Sequence, residues 1–93
     1  MYQVIFLPDA EESLKDLDNA VQQRIAAKID WLAENADDII HHHLSSLPEE
    51  LRGLCRIRTG DYRILYRAYI DSKIIKIYEI EHRSKVYRSL KKQ

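Results

Sequence analysis

Residues 54–81 read LCRIRTGDYRILYRAYIDSKIIKIYEIE, and this stretch decides the fold. It contains three runs rich in Ile, Leu and Tyr, which are residue types that favour β-strands. The pairs Gly60-Asp61 and Asp71-Ser72 separate the runs, and such pairs are typical of tight turns between antiparallel strands. We therefore predict an antiparallel three-stranded meander. The predicted strands span residues 54–59, 62–70 and 73–81.

The residues before the meander predict one strand and two helices. Residues 2–7, YQVIFL, form a short apolar run that Pro8 ends, which indicates an N-terminal strand. Apolar residues then recur every three or four positions over residues 14–32, the spacing of a helix face that packs on a core. Asp18-Asn19 is the expected break between two helices.

The remaining segments complete a single α+β domain. Residues 35–51 lack a regular pattern and are expected to form a helix end followed by a loop. Residues 82–92 are expected to form a short C-terminal helix or tail. The predicted order is β-α-α-β-β-β, and helices on one face of an antiparallel sheet define an α+β fold. A chain of 93 residues predicts one domain, residues 1–93, and not two.

The composition favours a cytoplasmic protein. The single cysteine, Cys55, cannot form an internal disulfide, which is typical of a reducing compartment. No apolar run approaches the roughly 18 residues of a membrane span, so we expect no membrane association. The first residues do not resemble a signal peptide.

The net charge of zero hides a strong asymmetry along the chain. Residues 1–51 contain eleven Asp or Glu and three Lys or Arg, a net charge of −8. Residues 52–93 contain twelve Lys or Arg and four Asp or Glu, a net charge of +8. Such a basic half indicates a nucleic-acid or other polyanionic partner. Mutual attraction of the two halves is the alternative interpretation.

The first predicted hairpin brings arginines together. A two-residue turn places Arg58 opposite Arg63, and the alternation of side chains places Arg56 on the same face, with Arg67 further along. Like charges that face each other across two strands are destabilising. A bound anion relieves this repulsion, and guanidinium groups bind phosphates in a two-pronged geometry.

The second predicted hairpin adds further groups to that face. Regular alternation along the last strand places Ile80 and His82 on the arginine side. Arg83 and Tyr87 follow at once. Basic side chains interleaved with an aromatic ring suit RNA, through phosphate neutralisation and base stacking. A solvated basic sheet face without a ligand is the structural alternative.

Three motifs in the second half of the chain resemble the RelE side of the RelE/ParE toxin superfamily. They are the R-I-R strand at 56–58, the G-D-Y-R turn at 60–63 and the H-R-x-x-V-Y sequence at 82–87. The opening residues 2–10, YQVIFLPDA, fit the N-terminal half of the family, so the resemblance covers nearly the whole chain. It implies a RelE-like fold and the toxin of a type II toxin–antitoxin system.

The resemblance also implies an activity. Toxins of this type are ribosome-dependent endoribonucleases that cut messenger RNA in the ribosomal A site. The ribose 2′-hydroxyl attacks the adjacent phosphate, which leaves a cyclic phosphate and a free 5′-hydroxyl without any metal or cofactor. The implied catalytic residues are Arg56, Arg58, Arg63, Arg83 and Tyr87, and to these we add His82 as the titrating group for proton transfer. Further residues expected to bind RNA phosphates are Arg52, Arg67, Lys85 and Arg88.

The implied partners are a RelB-like antitoxin, the ribosome and messenger RNA, with operator DNA as the target of the antitoxin complex. No metal site is expected, because the consecutive residues 41–43, all histidines, point in different directions. The chief alternative is a ParE-like poison of DNA gyrase on the same fold. Two others are an inactive toxin homologue kept as an antitoxin-binding co-repressor, and a basic RNA-binding domain without toxicity.

Overall fold

A five-stranded mixed sheet of order β1-β5-β4-β3-β2 forms one layer of the molecule, and two helices form the other. The computed structural model describes residues 1–44 and 52–85. The elements, in chain order, are β1 (Gln3–Phe6), α1 (Pro8–Lys15), α2 (Asn19–Asn35), β2 (His42–His43), β3 (Cys55–Thr59), β4 (Tyr62–Tyr69), β5 (Ile74–His82) and a 3-10 turn (Arg83–Lys85). The predicted α+β fold class is confirmed.

The helix boundaries follow from local chemistry. Pro8 occupies the start of α1, where its missing N–H costs no hydrogen bond. The Asp18 side chain accepts a hydrogen bond from the Val21 N–H at 3.0 Å and caps α2. The break predicted at Asp18-Asn19 is therefore confirmed, and it separates two helices that share one core.

The core lies between the helices and one face of the sheet. Ile25, Ile29 and Leu32 supply the fully buried positions of α2. Ile64 and Ile77 supply buried positions of β4 and β5. Removal of each such side chain from water contributes about 1.5–3 kcal/mol to stability. The positions of these residues along the strands therefore determine which face of the sheet packs against the helices.

Two features of the sheet differ from the prediction. His42–His43 forms an edge strand on β3 within the segment expected to be a loop. The loop between β4 and β5 is longer than two residues, because Tyr69 pairs with Ile74, and Lys73 adopts a left-handed φ of 60° within it. The first strand, β1, pairs in parallel with β5. None of the described helices is long and apolar enough to cross a membrane.

The contact between α1 and β5 contains a half-buried carboxylate. The Ser13 hydroxyl donates to Oε1 of Glu79 at 2.6 Å, and the Ile80 N–H donates to the same oxygen at 3.0 Å. Asp9 and Asp16 line the same surface pocket. Burial raises the pKa of Glu79, and the negative charges of Glu81 and Asp9 raise it further, whereas the hydrogen bonds from Ser13 and Ile80 lower it.

We expect Glu79→Gln to change the pH dependence of stability. Because the pKa of Glu79 is raised in the folded state, its favourable contribution is present in acid and is lost as the pH rises through that folded pKa. Glutamine stays neutral and its amide oxygen still accepts both hydrogen bonds. The free energy of unfolding of the variant, measured in urea, should therefore increase relative to that of the wild type as the pH rises from about 4, the ordinary pKa of a glutamate, through the raised folded pKa. Parallel pH profiles would contradict this assignment.

Candidate functional site

The β3–β4 hairpin builds the centre of the candidate site. Gly60, with a φ of +59°, allows the tight turn that an ordinary residue would strain. The turn sets the register so that Arg58 lies directly opposite Arg63. Ile57 and Ile64 form the next pair and pack toward the helices. The arginine pair predicted from the sequence is confirmed in both register and face.

These residues define a surface that we call the arginine face, the side of the sheet away from the helices that carries Arg56, Arg58 and Arg63. Arg58 is exposed, whereas Arg56 and Arg63 are partly buried and make contacts within the fold. Alternation along β3 places Arg56 and Arg58 on the same side, two residues apart. The face is thus a set of cations held by a rigid hairpin.

A β-bulge in β5 changes the rest of this face. Tyr66 pairs with Ile77 but Leu65 pairs with Glu79, so Tyr78 has no opposite residue. The extra residue reverses the alternation of all later side chains. Ile80, expected on the arginine face, is instead 5% exposed in the helix-side core. That expectation was wrong because regular alternation does not continue through a bulge.

The expected position of His82 was wrong for the same reason. His82 pairs with Tyr62, and their rings form an edge contact with centroids 5.2 Å apart. Tyr62 packs against the helix-side core. The Nδ1 atom of His82 accepts a hydrogen bond from the Ser84 N–H at 3.2 Å, which places the proton of the neutral imidazole on Nε2. The imidazole therefore lies on the opposite side of the sheet from the arginine pair.

Glu81 takes the place that His82 was expected to occupy. It pairs with Arg63 in the β4–β5 ladder and so lies on the arginine face. The sequence contains a signal for this arrangement. Ile75 and Ile77 are two positions apart, whereas the next buried isoleucine, Ile80, comes three positions later. Such a step of three within a strand of period two indicates a bulge.

Arg83 reaches the turn of the β3–β4 hairpin. Its N–H donates to the Asp61 carbonyl oxygen at 2.7 Å, and its Nε lies 3.7 Å from Asp61 Oδ1. Both side chains are largely exposed, so this ion pair contributes little to stability. Arg24 of α2, which the sequence did not single out, approaches the same turn, since a Cβ atom at Gly60 would lie 3.0 Å from its Nη1.

The sequence and the fold of the chain both agree with one protein family. The model of the ParE toxin of the type II toxin–antitoxin system parDE matches residues 4–87. The chain belongs to this toxin family. Comparison with curated protein sequences finds no match.

Solved structures of RelE toxins share the fold of this toxin. The isolated RelE toxin of Escherichia coli superposes with a TM-score of 0.71 at 19% identity, covering 99% of this chain and 97% of that one. The RelBE2 toxin–antitoxin complex of Mycobacterium tuberculosis gives 0.64 at 27% identity, covering 88% and 98%. The RelE–RelB complex of Pyrococcus horikoshii gives 0.65 at 26% identity, covering 91% and 98%. The expected membership of the RelE/ParE superfamily is confirmed.

The other expected RNA-binding residues of the toxin lie in different surroundings. A side-chain nitrogen of Arg67 donates to the Arg52 carbonyl oxygen, and the Arg67 guanidinium carbon lies 5.4 Å from the centroid of the Tyr78 ring. The Arg52 residue is exposed. Arg67 therefore connects the turn before β3 to β4 and β5. The backbone of Lys85 ends the 3-10 turn, whereas Tyr87 and Arg88 lie outside the described residues.

The histidines before β3 make separate contacts in the toxin. His41 Nδ1 lies 2.6 Å from the hydroxyl of buried Tyr66, and its Nε2 lies 2.8 Å from the Ala36 carbonyl oxygen. His43 Nδ1 lies 3.4 Å from Cys55 Sγ. Burial raises the pKa of the Cys55 thiol to about 11, which keeps it protonated and unreactive. Residues 1–44 and 52–85 contain no group of His, Cys, Asp or Glu that could hold a metal ion.

Proposed function

We propose that this toxin is an endoribonuclease that cleaves messenger RNA in the ribosomal A site. The observation that carries the proposal is the row of arginines on the arginine face, in which Arg58 and Arg63 are directly opposed and Arg56 follows on the same side. A hairpin selected for stability alone gains nothing from opposed like charges. A phosphate bound between them would add negative charge to that of Glu81, which pairs with Arg63 on the other side.

The chemistry of the arginine face suits phosphoryl transfer without a metal. Attack of the ribose 2′-hydroxyl on the adjacent phosphorus places additional negative charge on the phosphoryl oxygens in the transition state. Cations fixed on a strand pair stabilise that charge without reorganising. The bond from phosphorus to the 5′-oxygen then breaks, which gives a cyclic phosphate and a 5′-hydroxyl. Guanidinium groups supply electrostatic stabilisation but not proton transfer, since they hold their protons at neutral pH.

We propose a RelB-like antitoxin as the cognate partner of the toxin. Similar structures from Mycobacterium tuberculosis and Pyrococcus horikoshii are toxin–antitoxin complexes of RelE and RelB. An antitoxin that covers or distorts the arginine face would block access of RNA phosphates. The complex would then bind operator DNA through the antitoxin.

A ParE-like poison of DNA gyrase is the second candidate. The matching family model is described as the ParE toxin of parDE. The arginine face also carries a carboxylate, Glu81, which opposes phosphate binding unless it takes part in the chemistry. Shared fold alone does not separate the two activities.

Incubation of the purified toxin with ribosomes programmed with end-labelled messenger RNA tests the proposal. We expect cleavage at the A-site codon, 2′,3′-cyclic phosphate and 5′-hydroxyl ends, and no cleavage when ribosomes are omitted. A parallel assay measures DNA supercoiling by gyrase. Gyrase inhibition without RNA cleavage would support the second candidate, and the absence of both activities would support an inactive, antitoxin-binding homologue.

A further inference from the structure

A carboxylate completes a row of charged residues across three strands of the arginine face. Arg58 on β3 pairs with Arg63 on β4, and Arg63 pairs with Glu81 on β5. Directly opposed residues of antiparallel strands project to the same side of a sheet. Glu81, paired with Arg63, therefore lies on the arginine face, whereas its neighbour Ile80 belongs to the helix-side core. The three charged residues therefore form one cross-strand row.

The dimensions of this row match a phosphate and its neighbouring ribose. Adjacent strands lie about 4.8 Å apart, so the row spans on the order of 10 Å from the first backbone to the last. A phosphate held by Arg58 and Arg63 with its ribose on the β5 side would bring the adjacent 2′-hydroxyl next to that strand. Glu81 is the member of the row on that side.

The other titratable groups near the end of β5 are placed elsewhere. The ring of His82 lies against Tyr62 on the helix side of the sheet. The carboxylate of Glu79 accepts hydrogen bonds from Ser13 of α1 and from the backbone. Guanidinium groups do not accept protons at neutral pH, whereas a carboxylate can act as a general base.

We propose that Glu81 is the general base of the cleavage reaction, an assignment that rests on the proposed function. The Glu81 carboxylate takes the proton of the ribose 2′-hydroxyl as the 2′-oxygen forms its bond to phosphorus. The bond between phosphorus and the 5′-oxygen breaks, and the leaving 5′-oxygen takes a proton from water. Glu81 then returns its proton to solvent, so the step needs no further reactant.

A different role for Glu81 makes the opposite prediction. If the carboxylate only balanced the charge of the arginines, its removal would strengthen phosphate binding and increase cleavage. If it is the base, Glu81→Gln strengthens or preserves binding but slows the chemical step. The two roles therefore differ in the sign of the change in kcat.

The test compares Glu81→Gln with the matched variant Glu79→Gln, the same substitution two residues earlier on β5. Single-turnover cleavage on programmed ribosomes is followed from about pH 5 to about pH 9, and ribosome binding is measured separately. We expect Glu81→Gln to lower the rate about a hundredfold, to lose the rise of the rate with pH, and to bind ribosomes at least as tightly. We expect Glu79→Gln to keep a rate close to that of the wild type and to retain the rise of the rate with pH.

The possible failures are distinguishable. Cleavage by Glu81→Gln at the wild-type rate or faster, or with the acid limb of its pH profile intact, overturns the assignment while the proposed nuclease function stands. Absence of cleavage by the wild-type toxin overturns the nuclease function and this assignment together. Thermal unfolding of Glu81→Gln at the temperature of the wild type excludes misfolding as the cause of a lost rate.

Discussion

Replacing Arg58 with glutamine should lower kcat/KM for ribosome-dependent cleavage by about 10²–10³-fold, the usual effect of removing one fixed donor from a developing oxyanion. The same substitution should also stabilise the fold. Arg58 is exposed and faces Arg63, so its removal relieves a like-charge pair. Cross-strand pairs contribute roughly 0.2–1 kcal/mol, which sets the expected gain in the free energy of unfolding.

The combination of lost activity and gained stability identifies a functional residue more sharply than either change alone. A matched control is Lys28→Gln, which removes one positive charge from α2, where the ammonium lies 4.5 Å from the centroid of the Trp31 ring. This control should retain wild-type kcat/KM. Unchanged cleavage by Arg58→Gln, or a loss of stability in urea denaturation, would argue against phosphate binding between Arg58 and Arg63.

Replacing Ile80 with alanine should lower the free energy of unfolding by about 2–5 kcal/mol, the range for truncating a buried aliphatic side chain. Ile80 is 5% exposed and belongs to the helix-side core. Small domains have a total stability of about 5–15 kcal/mol, so this loss is a large fraction of the whole. Thermal and urea denaturation measure it directly.

The result for Ile80 also tests the bulge at Tyr78. Regular alternation along β5 would place Ile80 on the arginine face, outside the helix-side core. The control is Ile70→Ala, in the loop between β4 and β5, whose side chain is 47% exposed. We expect a loss well under 1 kcal/mol there. Equal effects of the two substitutions would contradict the observed reversal of faces.

The hairpin and its arginines could be predicted because local chemistry determines them. A Gly60-Asp61 turn admits few geometries, and once the turn is set, each residue of β3 has a unique partner on β4. The period of two then assigns Arg58 and Arg63 to one face and Ile57 to the other. None of these steps needs information from distant parts of the chain.

The edge strand β2 and the approach of Arg24 to the hairpin turn could not be predicted in this way. His42–His43 is a strand only because β3 offers it an unpaired edge. Arg24 reaches Gly60 because α2 packs across the sheet. Both features depend on contacts between segments that are far apart in sequence.

The sequence by itself determined the fold class, the register of the first hairpin and the opposed pair of Arg58 and Arg63, because turn chemistry and the strand period act over a few residues. Only the tertiary structure decided which side of the sheet the end of β5 presents to the arginines. Burying Ile80 against the helices requires one extra residue at Tyr78, and the bulge that accommodates it places Glu81 beside Arg63 and turns His82 away. Glu81, and not His82, therefore lies on the arginine face because Ile80 is buried in the core.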